Sequence, residues 1–341
     1  MLPELPGVIT AAQVSTTGAA IASVQAPSGV IAWSPGAHAD PWNHVEAAMA
    51  LDVAGCRPAA ERAYEWLLSR QRADGSWAAA YRGDEVEDPA ADANFCAYVA
   101  AGAWHHFLST RDAGFLEDMW PAVERAIEFT LALQTPRGEI LWARDASGRP
   151  WPGALLSSSS CIHLSLRCAL AIADELGHER PRWHTAIERL ATVVAARPDA
   201  FEDKREYAMD WYYPVLGGAV SGVEAEARIE RDWERFVVRG LGVRCVSHRP
   251  WVTVAETCEL VLTLDALGHA ADARRLFSWV HRLRGGDGGY WTGVTFPEGE
   301  LWPEEQPTWT SAAVLLAADA LAGASPAATF FSTDEPLEAA G

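Results

Sequence analysis

QRADGSW, Gln71 to Trp77, decides how this chain folds. It follows a helical run, turns on Gly75 and closes on a tryptophan, and the same form recurs. QAPSGVIAW (Gln25 to Trp33), QTPRGEILW (Gln134 to Trp142) and RGGDGGYW (Arg284 to Trp291) repeat it. Two weaker connections, at Arg197 to Trp211 and Gly240 to Trp251, fill the remaining gap. Six such connections, spaced by roughly 40 to 60 residues, each leave room for a helical hairpin, and a period of that length signals a solenoid or a closed array.

Working outward, the pattern predicts twelve helices, at 10–24, 41–54, 58–70, 92–109, 117–133, 159–176, 182–196, 207–219, 221–236, 253–267, 270–283 and 308–322. Several end at a glycine (Gly55, Gly177, Gly268) with a second helix close behind. VEAAMALDVAG, SLRCALAIADELG and ELVLTLDALG are apolar on nearly all faces, as helices inside a ring must be. PAAERAYEWLLSRQ and WPAVERAIEFTLALQ are amphipathic and suit an outer layer. The expected fold is all-α, an (α/α)6 toroid in one domain over 1–325, with 326–341 a loose acidic tail.

The chain has a net charge of -19 and 49% hydrophobic residues. That acidity argues against nucleic acid, an anionic membrane surface or a polyphosphate as partner. Six cysteines lie mostly in apolar runs with no CxxC pair, which reads as reduced thiols. MLPELPGVITAAQ lacks the pattern of a signal peptide, and no apolar run reaches the eighteen or so residues that span a bilayer. These features point to a cytoplasmic protein.

QRADGSW resembles the repeat of the squalene-cyclase and protein-prenyltransferase toroids, and six-hairpin glycosidases share that barrel. HADPWNHVEAAMALD (from His38), YAMDWYYPVLGG (from Tyr207) and RPWVTVAETCEL (from Arg249) resemble a set of actinobacterial proteins often labelled prenyltransferases. That set is taken to include hydrolases of methylmannose polysaccharide, which are α-1,4-endomannosidases. The resemblance implies cleavage of internal α-1,4-mannosidic bonds, and analogy with six-hairpin glycosidases implies inversion.

The residues themselves weigh three chemistries. No DxDD motif for a cyclase that protonates its substrate is present. A prenyltransferase-like zinc site finds only Glu256, Cys258 and a distant His269 or His281, so neither metal nor cofactor is expected. Glycoside hydrolysis needs two carboxylates across a sugar cleft. Asp40, an N-cap before Pro41, and Glu256, at the start of an apolar inner helix, are the expected acid/base pair, with the two roles open. His38, Trp42, His44, Glu46, Asp210, Trp211, Tyr212, Tyr213 and Trp251 flank them and are the expected substrate contacts. Glu87 and Asp88 read as a solvated loop, Ser157 to Cys161 as the lead-in to a helix, and Trp77, Trp142 and Trp291 as packing of the repeat. The partner is then an oligo- or polysaccharide. An isoprenoid enzyme on the same barrel and a non-catalytic carbohydrate-binding toroid are the rival readings.

Overall fold

The computed structural model describes residues 1–332. Its helices are α1 (Ala11–Val24), α2 (Pro41–Val53), α3 (Arg57–Arg70), α4 (Ala93–Thr110), α5 (Ala113–Leu131), α6 (Leu156–Glu175), α7 (Pro181–Ala196), α8 (Ala208–Leu216), α9 (Gly222–Phe236), α10 (Val254–Ala266), α11 (Ala270–Val280) and α12 (Thr308–Ala322). Short strands decorate one end: β1 (Ala80–Arg82), β2 (Glu85–Asp88), β3 (Ala91–Asp92), β4 (Ala143–Arg144), β5 (Val237–Val238), β6 (Gly242–Arg244), β7 (Trp251–Thr253) and β8 (Gly293–Thr295). The last four form one antiparallel sheet in that order.

The even-numbered helices close a ring. α2 packs on α4, α4 on α6, α6 on α8, α8 on α10 and α10 on α12, and α12 returns to α2. The odd-numbered helices back them from outside, with α1 bridging α12 and α2. This is the (α/α)6 toroid, with the apolar runs inside and the amphipathic runs outside as the patterning predicts.

The repeat has a physical cause. Gln25 Nε2 donates to Gly29 O in its own turn and to Ala59 O on α3. Gln71 does the same to Gly75 O and to Ala122 O on α5, and Gln134 to Gly138 O and to Ala186 O on α7. In the last hairpin Arg284 takes the place of glutamine and reaches Gln13 O on α1, which closes the circle. The glycine is needed because its backbone lies against that neighbouring helix. Gly75 has φ +89°, and a Cβ there would sit 2.2 Å from Arg125 O. Both the left-handed φ and the contact penalise a side chain. Gly75→Ala is therefore expected to lower stability by about 1–3 kcal/mol, read as a shift of the urea unfolding midpoint.

Differences from the predicted boundaries have local reasons. α5 starts at Ala113, not 117, because Asp112 accepts from Phe115 N and caps it, while Pro121 sits inside the helix. α8 stops at Leu216, since Gly217 and Gly218 follow and Gly218 takes φ +75°. α6 starts at Leu156, so the serines lie in its first turns, and Ser160 Oγ donates to Leu156 O. α6 is also long and apolar enough to cross a membrane, contrary to expectation. Its most apolar 18-residue window is 78% buried, and its place in the inner ring accounts for that character.

The long outer-to-inner connections and the inner helix N-termini share one end, the mouth. At the opposite end the connections are short, as at Ala54–Cys56. The expected loose tail does not begin at 326. Ala327, Phe330 and Phe331 are buried, Phe330 meets His105 edge-on, and Phe331 reaches the central cavity. The rest of the expected tail, 333–341, lies outside the described residues.

Candidate active site

Inner-helix periodicity builds the site in layers. The sixth residues of the six inner helices are Glu46, Tyr98, Cys161, Tyr213, Glu259 and Ala313. All six line one cavity on the barrel axis, of about 20 Å3, room for about one water. Two carboxylates dominate this floor. Glu46 accepts from the Tyr98 hydroxyl. Glu259 accepts from the Tyr212 hydroxyl and, at 2.7 Å, from that of Tyr213. Burial pushes Glu46 up to about 7 against the pull of the Tyr98 hydrogen bond. Burial, reinforced by the negative charge of Glu256, raises Glu259 well above the ordinary glutamate range.

Above the floor stand three carboxylates. Asp40 caps α2, its oxygens accepting from the backbone and side-chain N–H groups of Asn43. Asp92 caps α4, with one oxygen accepting from both Asn94 N and Phe95 N. Burial lifts both, and the nearby charge of Asp40 adds to the rise of Asp92, which reaches about 7. Glu256 is only 5% exposed in the first turn of α10. With six helices in the ring, α4 and α10 stand on opposite sides, so Asp92 and Glu256 occupy facing walls.

An aromatic wall descends to these groups. His38 stacks on Trp33 at 6.0 Å, and Trp33 meets Trp309 at 5.7 Å. Trp309 meets Trp42 at 5.7 Å, and Trp42 stacks on Tyr98 at 5.1 Å. On the side of the four-stranded sheet, Trp251 packs edge-on to Trp302 at 4.7 Å, and Trp302 is exposed. Three first-turn groups along the α12–α2–α4 wall, Trp309 Nε1, Asn43 Oδ1 and Asn94 Oδ1, have no hydrogen-bond partner.

The structure thus gathers Asp40, Glu256, Trp42, Glu46 and Tyr213 at the mouth and floor, with His38 at the rim, 3.9 Å from Asp40. Two expected contacts turn away. His44 is fully buried, accepts from Ile31 N, hydrogen-bonds Ala63 O and packs on Trp66, so it ties α2 to α3. Burial lowers it to about 4, which keeps it neutral. Trp211 stacks on Phe236 and donates to Arg228 O, so it ties α8 to α9. The reason is common to both. Each lies two residues before an axis-facing position (Glu46, Tyr213), and two helical residues turn the side chain through about 200°. Tyr212 is also fully buried and acts on Glu259, not at the surface of the cleft. Asp210 is raised to about 6 by burial, against a hydrogen bond from Ser157, and also borders an outer cleft with Arg228. Glu87 lies in the exposed β2 and pairs with Arg82. Of the would-be zinc partners, Cys258 is enclosed in the core and His269 pairs with Glu226.

Asp92, Tyr98, Glu259, Trp33 and Trp309 were not among the expected site residues. A signal existed for two of them. Asp92 stands in the second hairpin where Asp40 stands in the first. Glu259 holds the same sixth position in α10 that Glu46 holds in α2.

A carboxylate-lined, tryptophan-walled mouth on an (α/α)6 barrel is the architecture of a helical-toroid carbohydrate enzyme. Solved structures of this shape include a wild-type glycosidase with a TM-score of 0.73 at 15% identity, covering 92% of this chain and 98% of that one. A D-mannose isomerase also has a TM-score of 0.73, at 10% identity, covering 92% of this chain and 96% of that one. At such identities they share the fold alone. No protein-family model matches the chain. In sequence it is 52% identical over 325 residues to the MMP endo-(1,4)-3-O-methyl-alpha-D-mannosidase of Mycolicibacterium hassiacum, covering 95% of this chain and 90% of that protein. The chain belongs to the family of that endomannosidase. An isoprenoid enzyme, the rival reading on the same barrel, is thereby set aside.

Proposed function

We propose that this chain, a glycoside hydrolase by its family, cleaves internal α-1,4 bonds of 3-O-methylated mannan with inversion. Asp40 and Glu256 are the acid/base pair, with Asp40 on the acid side, where Asp92 caps the adjacent inner helix. The observation that carries the reading is the aromatic wall leading from the rim to buried carboxylates on three inner helices, α2, α4 and α10. Tryptophan faces accept the C–H and O-methyl surfaces of a neutral sugar chain. The orphaned polar atoms of Trp309, Asn43 and Asn94 offer the hydrogen bonds its hydroxyls need. An inverting site also needs space for a water between its carboxylates, and Asp40 and Glu256 stand on inner helices separated by α12. A net charge of -19 suits an uncharged substrate. The six free thiols suit a reducing compartment, and we place the enzyme in the cytoplasm.

The test is incubation with 3-O-methylated α-1,4-mannan oligosaccharides, followed by mass spectrometry and by NMR of the new reducing end. Shorter oligosaccharides that appear first as the β-anomer are the expected result. Intact substrate at every pH would overturn the reading and favour a binding protein, whereas an initial α-anomer would overturn inversion alone.

A further inference from the structure

Asp40 and Asp92 are the N-caps of neighbouring inner helices that pack along one another. Both are buried, at 3% and 8% exposure. The groups around the pair are few. From the loop before α2 comes His38, 3.9 Å from Asp40. From α4 comes the Cys96 thiol, whose own titration feels Asp92. Arg144 on β4 is in register with Ala91, but its guanidinium lies over the Phe129 ring. Arg82 on β1 donates to Gly36 O and pairs with Glu87. Among the described residues no arginine or lysine forms an ion pair with either aspartate.

Two buried carboxylates at the caps of adjacent helices, with no strong cation paired to either, resist double ionisation. We propose that Asp40 and Asp92 carry one proton between them at neutral pH, with Asp92 a positioning residue that keeps that proton available on Asp40. The inference rests on the glycosidase reading of the mouth. In the reaction the proton passes to the glycosidic oxygen as the C1–O bond breaks. A water oxygen bonds to C1 from the opposite face and gives its proton to Glu256. Exchange with solvent then returns one proton to the aspartate pair and removes one from Glu256, so one water is consumed per bond. The upward displacement of both aspartates, Asp92 to about 7, agrees with a shared proton, and the two titrate as a unit.

Asp92→Asn separates charge from structure, because asparagine caps a helix about as well as aspartate. The pH profile of kcat/KM on the methylated oligosaccharide should keep its acid limb. Its basic limb should fall by at least about one pH unit, as expected when a like charge beside the acid is removed. An unchanged basic limb would overturn the proposal. So would a loss above about 1,000-fold at every pH, which would make Asp92 the donor itself. Carboxyl 13C NMR of Asp40 repeats the test without substrate. Two-step titration in the wild type should collapse to one lower step in Asp92→Asn, and identical curves would refute the coupling even if the proposed substrate is wrong.

Discussion

Glu256→Gln is expected to lower kcat by about 100- to 10,000-fold, the usual contribution of a general base, with KM changed little. Glu256 lies in the first turn of α10, on the wall facing Asp92 and one helix removed from that of Asp40, and is only 5% exposed. Glutamine keeps its shape and its place in the helix, so the barrel and the aromatic wall should survive and substrate should still bind. What is lost is the acceptor for the proton of the attacking water. Azide, which needs no deprotonation, should restore cleavage and leave a β-mannosyl azide. Asp40→Asn should lose turnover by a similar factor, but azide should not help it, because departure of the sugar then lacks its proton. A Glu256→Gln enzyme with wild-type kcat would move the base elsewhere, first to Glu259, one helical turn deeper on the same face of α10.

How far the chain could be read in advance follows from what each signal depends on. The ring was legible because its signals are local. A glutamine, a glycine and a tryptophan recur at three outer-to-inner turns, with Arg284 in place of the glutamine at a fourth, and the hydrogen bonds of Gln25, Gln71 and Gln134 show why. Helix direction then placed the inner N-termini at one mouth, and Asp40, Glu256 and Trp42 came with them. Side-chain direction within a helix was the weaker inference. His44 and Trp211 lie within two residues of true axis positions yet face their outer helices, because proximity in sequence says nothing about the 100° step between residues. Asp92 stands at the first position of the expected helix 92–109, and nothing local marks it as a site residue. Its partner, Asp40, is 52 positions away in sequence, and their pairing exists only once α2 and α4 pack.

The floor of the barrel gives the last large effect, and here function and stability oppose one another. Glu46 has its ordinary range near 4.5 when unfolded and titrates at about 7 in the fold, because burial disfavours its charge. The native state therefore binds more protons than the unfolded chain between those two values. By linkage, the contribution of Glu46 to stability is greatest below about pH 4.5, falls as pH rises toward about 7, and is flat above. The window corresponds to about 3 kcal/mol. Glu46→Gln removes that charge while its amide oxygen still accepts from Tyr98, so the variant should be the more stable protein at pH 8, by up to about 3 kcal/mol. At about pH 4.5 the two should unfold alike. Urea unfolding at both pH values checks this, and equal stabilities at pH 8 would mean that Glu46 is comfortably ionised. Glu259, also displaced upward by burial and by its acidic neighbours, should gain from the same substitution, because one of the charges opposing its ionisation is gone. Two carboxylates buried on the barrel axis, both displaced upward, therefore weigh against stability once the pH reaches the range in which they ionise.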